Sequence, residues 1–141
     1  MLKKYTVVAK LKQQILDQKE AALLQARIRV QVLEEEIKAL RYQIETLNVP
    51  NKGAFSKFLH AKSLGDSLMK QKEYVIKDKE RAQNYANECL YHFNEASRDF
   101  EKIKYIREDA YAKAIKALKK REQNDLDEVA LQLYALQGAS K

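Results

Sequence analysis

Between Asn48 and Leu59 the chain reads NVPNKGAFSKFL, a stretch that holds its only proline and one of its three glycines. On either side lie long runs of Leu, Ala, Gln, Glu and Lys that contain almost nothing to stop a helix. This one break constrains the fold more than any other feature. Sheets and α/β folds need frequent corners, and with three glycines and one proline in 141 residues there are too few to make them. Long helices that turn back once satisfy the pattern, and the length suits a single domain over residues 1–141.

The apolar spacing supports two helices. Val30, Leu33, Ile37, Leu40, Ile44 and Leu47 alternate steps of three and four, which places them on one seam of a coiled coil. Val8, Leu11 and Ile15 keep the same rhythm upstream. Joining the two runs takes steps of four through Lys19 to Leu23 and Ala26, a stutter that puts a lysine at a seam position. A first helix is therefore expected over about 3–48. After the break, Phe55, Phe58, Leu59, Leu64, Leu68 and Val75 form an irregular apolar stripe. From Ala82 the pattern tightens through Ala86, Cys89, Phe93, Ala96, Phe100 and Ile103, then continues through Ala110, Ala114, Leu118, Leu126, Val129, Leu133 and Leu136. Gly65 and the asparagines at 84, 87 and 94 cost helix propensity without stopping a helix. Gly138-Ala139-Ser140 is a natural stop, so a second helix is expected over about 56–137, with room for one or two fractures.

Three roles for the break compete: domain linker, phosphate loop and hairpin turn. A phosphate loop needs several glycines followed by Lys-Ser/Thr, and GAFSKF has neither. A domain linker would be longer and more polar. As a turn over about 49–55, Pro50 drives Val49 out of the helical region, Gly53 is free to take a positive φ, and Ser56 is placed to cap the next helix. The expected fold is all-α: a long two-helix antiparallel coiled-coil hairpin whose second helix is the longer. At about 1.5 Å per residue the helices measure roughly 70 and 120 Å. Counting back from the turn sets Lys3 opposite about Phe100 to Ile103. The segment from about Lys104 to Gln137 is then left without a partner in the chain, yet it keeps its apolar stripe. A lone amphipathic helix needs a surface on which to bury such a stripe, so another protein is expected around it.

Such a hairpin buries a narrow seam and offers no enclosed pocket, so no catalytic residue, cofactor or metal is assigned and no enzyme is expected. Carboxylates cluster at Glu34, Glu35 and Glu36 and at Asp125, Asp127 and Glu128, and the first cluster falls between Leu33 and Ile37 on a solvated face. General acid–base work needs carboxylates in a pocket. Cys89 and His92 are three residues apart, but two ligands without a second pair make no zinc site, and Cys89 occupies a seam position that wants a small apolar residue. One cysteine excludes an internal disulfide and fits a reducing compartment. The opening MLKKYTVVAKLKQQ lacks the apolar run of a signal peptide, and no window is apolar enough to span a membrane.

The net charge of +7 raises nucleic acid, anionic lipid and acidic proteins as partners. Residues 1–50 carry 9 basic and 6 acidic side chains, leaving 18 and 14 for the rest, so the excess is spread rather than gathered in an arm. The best candidate patch is Lys113, Lys116, Lys119, Lys120 and Arg121, with Tyr105 and Tyr111 upstream. Glu108, Asp109, Glu122, Asp125, Asp127 and Glu128 crowd the same region and would repel phosphates, which favours a protein surface over nucleic acid. Phe55, Phe58 and Leu59 sit at the turn, either as a cap on the seam or as an exposed contact patch.

The basic helical hairpin, the aromatic start of its second helix in FSKFLHAKSL, and the ending KALKKREQNDLDEVALQ together resemble the FliJ family, the stalk component of the flagellar type III export apparatus. Arg121 to Ala130, REQNDLDEVA, is similar to that family's Glu-Gln-x-x-Leu-Asp-Glu-Ile/Val-Ala ending. The resemblance implies a non-enzymatic cytoplasmic protein, similar in its hairpin to the gamma subunit of rotary ATP synthases. Such a protein enters the pore of the hexameric export ATPase, promotes its assembly and activity, and links it to the cytoplasmic domain of the export gate. Export chaperones are further partners in the family. Carried onto this chain, the ATPase contacts fall on Lys116, Lys119, Lys120, Arg121, Leu126, Val129 and Leu133. The gate contacts fall on Leu40, Phe55, Phe58 and Leu59; exposed tyrosines are frequent in that part of the family's first helix, whereas here Gln43 and Leu47 follow Leu40. No nucleic acid and no membrane insertion are implied. The implied localisation is cytoplasmic, peripheral to the flagellar basal body at the inner membrane, as a monomer or weak homo-oligomer. The alternative is a basic coiled-coil adaptor on nucleic acid or an anionic membrane surface.

Overall fold

A computed structural model of the chain describes residues 2–48, 50 and 52–139. It consists of two helices, α1 (Leu2–Glu45) and α2 (Phe55–Ala139), packed against each other, with no strand among the described residues. The all-α hairpin with a longer second helix is thus present. α2 runs unbroken through Gly65 and through the asparagines at 84, 87 and 94. These residues cost propensity, but packing of the amphipathic face outweighs a few tenths of a kcal/mol to about 1 kcal/mol at each. By its internal contacts the chain divides into two compact units, one of residues 15–96 and one of residues 2–14 with 97–139.

In the first unit the seam is the one read from the spacing. Leu23, Ala26 and Val30 meet Ala86 and Cys89, while Leu33, Ile37 and Leu40 meet Val75. Numbers rise along α1 as they fall along α2, so the pair is antiparallel. Leu33, 2% exposed, is the most completely buried large side chain. Burying a leucine to that degree contributes about 1.5–3 kcal/mol. Ile44 and Leu47 close the seam half-buried, and Lys19, the lysine of the stutter, lies exposed while Leu16 and Ala22 turn inward. Glu34 and Lys79 bridge the two helices at 3.4 Å on the surface.

α1 ends at Glu45, three residues before the proline-based expectation of Asn48. The hydroxyl of Thr46 donates to the carbonyl of Tyr42 at 2.8 Å, sharing the acceptor already used by its own N–H at 3.0 Å. Leu47 N–H then bonds Ile44 at 3.3 Å, the tighter closure common at helix ends. α2 begins at Phe55, where Lys57 N–H bonds the carbonyl of Ala54 at 3.0 Å, so Ser56 lies inside the first turn instead of capping it. Gly53 has φ +122°, as the turn reading requires. Val49 and Ser140, invoked for the turn and the C-terminal stop, lie outside the described residues; Gly138 is still helical.

The register corrects the expected pairing. Leu47, two residues beyond the end of α1, already touches Gly65. The first ten residues of α2 are therefore used beside the connection, and pairing starts later along α2. In the second unit Leu2 accordingly lies among Ile106, Arg107, Ala110, Tyr111 and Ala114, about two turns beyond Phe100 to Ile103. Tyr5 and Thr6 line the same grooves, and Ala9 is buried where Leu11, 54% exposed, had been placed on the seam. Among the described residues the exposed segment consequently begins at Lys116 and not at Lys104: every residue from Lys116 to Gly138 is exposed.

Candidate protein-binding surfaces

Two exposed surfaces combine apolar and basic side chains, although large apolar residues such as Val7, Leu24, Ile28 and Met69 are exposed elsewhere along the helices too. The first is the terminal segment of α2. Leu118, Leu126, Val129, Leu133 and Leu136 recur at helical spacing and are all more than half exposed. They line one face because steps of three, four, seven and eight return to the same side of a helix. Lys116, Lys119, Lys120 and Arg121 are exposed on the turns before Leu126. Glu122, Asp125, Asp127 and Glu128 follow them, so the segment is basic over 116–121, acidic over 122–128 and uncharged over 129–138. Gln123 donates to Asp127 at 3.4 Å along the helix. Leu131 and Tyr134, the latter 77% exposed, add apolar area outside the stripe. Both fall off the three-and-four pattern, so seam spacing does not reveal them, whereas the number of large apolar residues per turn does.

The second surface is the turn and the start of α2. Phe55, 72% exposed, stacks on the half-exposed ring of Phe58 with centroids 6.2 Å apart, and Leu59 is exposed beside them. The open alternative between a seam cap and an exposed patch therefore goes to the patch: the buried residue of that turn is Ala61. Lys52, Lys57 and Lys62 are exposed in the same stretch, and no carboxylate occurs between Glu45 and Asp66. Leu40, grouped with this patch in the sequence reading, is instead 5% exposed within the seam beside Leu33, Ile37 and Val75. Its side chain is turned to α2 and is not presented to a partner.

The remaining candidates separate. Cys89 is buried in the seam, whereas His92 is exposed, pairing with Glu95 at 3.7 Å and meeting Tyr91 edge-on. The Tyr85 phenol beside Cys89 is held above its ordinary value, first by its hydrogen bond with the thiol, then by the sulfur's charge. It stays protonated at neutral pH, and nothing nearby uses it. Lys113 pairs with Asp109 at 3.0 Å, which ties the upstream end of the basic stretch to its own helix. Among the described residues no group of three His, Cys, Asp or Glu gathers as metal ligands would, and no helix is long and apolar enough to cross a membrane.

No curated protein and no solved structure matches the chain. One protein-family model does, that of the flagellar FliJ protein, over residues 1–139. It spans both helices and both exposed surfaces. On that match the chain belongs to the FliJ family and is a component of the flagellar export apparatus.

Proposed function

We propose that this protein is the non-enzymatic stalk of its export apparatus: the terminal segment of α2 inserts into the pore of the hexameric export ATPase and promotes the ring's assembly and activity. The observation that carries the reading is the run from Lys116 to Gly138, a helix whose apolar stripe is left exposed among the described residues. Leu126, Val129 and Leu133 supply the apolar contact, and Lys116, Lys119, Lys120 and Arg121 supply charge for acidic groups of the ring. Burying a stripe of leucines in a socket is worth about 25 cal/mol per Å² of apolar area. That gain is denied to the free helix.

Phe55, Phe58 and Leu59 are the proposed contact with the cytoplasmic domain of the export gate, with Leu40 supporting the seam and making no direct contact. Export chaperones are further proposed partners, and the protein works on the cytoplasmic side, peripheral to the basal body at the inner membrane. Adding the protein to purified export ATPase tests the reading. Turnover and hexamer formation rise, and they do not rise with a variant carrying Leu126→Ala, Val129→Ala and Leu133→Ala. An ATPase indifferent to the wild-type protein refutes the stalk role.

A further inference from the structure

We propose that the hairpin tip is also an anionic-lipid site, which adsorbs to a membrane surface through Phe55, Phe58 and Leu59 and the lysines around them. The chain here reads KGAFSKFLHAK, with Lys52, Lys57 and Lys62 at intervals of five and the apolar residues between them. From Thr46 to Gly65 it contains no carboxylate; residues 1–16 and 110–121 are basic and carboxylate-free as well, but here the lysines accompany a stacked pair of exposed phenyl rings. Phe55 and Phe58 are stacked upon each other and exposed, and every residue from Lys52 to His60 is exposed. Two phenyl rings in water, with three exposed lysines in the same stretch, fit a bilayer interface. The rings sink to the acyl boundary while the lysine stems extend back and leave their charges among the phosphates.

Other partners fit these residues less well. Phenylalanine has no donor or acceptor to read a polar partner, and a nucleic acid would need a groove that follows its backbone. An acidic protein would satisfy the lysines, but the rings would require a preformed pocket; that partner is an outcome of the test below. The depth involved is that of side chains at an interface, with neither helix entering the bilayer. This inference does not depend on the gate contact, because vesicles contain no gate.

The test is cosedimentation of the full chain with phosphatidylcholine vesicles containing roughly a third phosphatidylglycerol, and with pure phosphatidylcholine as the neutral arm. Binding is expected to the anionic vesicles alone and to weaken as salt is raised. Each tip lysine contributes about fivefold, so K52Q/K57Q/K62Q binds roughly a hundredfold less. F55S/F58S also loses binding while keeping its charge. Both variants alter exposed side chains only, and circular dichroism checks that their helices persist. The control K116Q/K119Q/K120Q/R121Q removes four charges from the terminal segment of α2 and binds as the wild type does. Loss of binding in that control, or retention in the tip variants, overturns the proposal. Wild-type protein that ignores both vesicles, with tip variants that no longer bind a purified gate domain, overturns it too while leaving the gate contact standing.

Discussion

Replacing glycine by alanine at two positions should shift stability in opposite directions, and the structure sets both signs. Gly65 lies inside α2, where alanine is favoured over glycine by about 0.8–1.0 kcal/mol. Against this, a Cβ at Gly65 would stand 3.1 Å from Cδ2 of Leu47, closer than side chains normally rest. Leu47 is half-buried in the connection after α1, and the atom concerned is the free end of a rotatable side chain. Yielding a few tenths of an ångström costs about 0.5 kcal/mol by a modest departure from its rotamer. The helix gain exceeds the contact cost, so Gly65→Ala stabilises by about 0.5 kcal/mol and raises Tm by about 2 °C. Gly53 has open space around it, but its φ of +122° is one that residues with a Cβ avoid. Gly53→Ala therefore costs about 1–3 kcal/mol and lowers Tm by several degrees. Thermal melts followed by circular dichroism at the helix band read both. A lower Tm for Gly65→Ala would mean that Leu47 cannot move, and that the register is locked at this contact. An unchanged Tm for Gly53→Ala would refute the claim that the turn depends on that backbone angle.

Three further perturbations separate the paired helices from the exposed segment. Leu33→Ala removes the most buried leucine and costs about 2–5 kcal/mol, whereas Leu126→Ala stays within about 0.5 kcal/mol; equal losses in chemical denaturation would place Leu126 in a core. Deleting residues 116–141 leaves the melting transition of the remaining helices in place and abolishes ATPase stimulation; a collapsed transition would show that the segment supports the fold. Lys79→Ala, which opens the 3.4 Å bridge to Glu34, costs less than about 1 kcal/mol and nothing measurable in high salt, since both side chains are more than a third exposed. A larger, salt-independent loss would mean that the pair is coupled to the seam.

How far the sequence could be read depended on how local the determining interaction was. The seam from Val30 to Leu40 and the patterned run from Ala82 to Ile103 were legible because a period of three and four is a property of one helix alone. The turn was legible because Pro50 and Gly53 act on their own backbone. The register was not, since it depends on how much of α2 packs on the connection. That is decided by Leu47 against Gly65, a contact between residues with no shared periodicity. Leu11 was misplaced for a similar reason: it keeps the heptad rhythm, but the inward positions near it are Val8, Ala9 and Lys12. Of the two exposed surfaces, the terminal stripe was visible as apolar residues without a mate, although its start was set about three turns too early. At the tip the apolar residues alone could not separate a cap from a contact patch. Burial of Ala61 in their place decides it.

The continuity of α2 through the half-buried Ile115 into the exposed segment has a kinetic consequence. Starting a helix in water is the unfavourable step, with a statistical weight on the order of 0.001, while adding residues to an existing end is close to neutral. The paired part of α2 is a permanent nucleus from which the segment after Lys116 grows. A detached peptide of the same sequence would be largely coil. Amide hydrogen exchange should therefore be graded, fastest near Gly138 and slowing toward Lys116, without a cooperative step. A partner that receives this segment meets a helix whose ordering has mostly been done already, so little of the contact energy is lost to conformational entropy and association need not wait for folding.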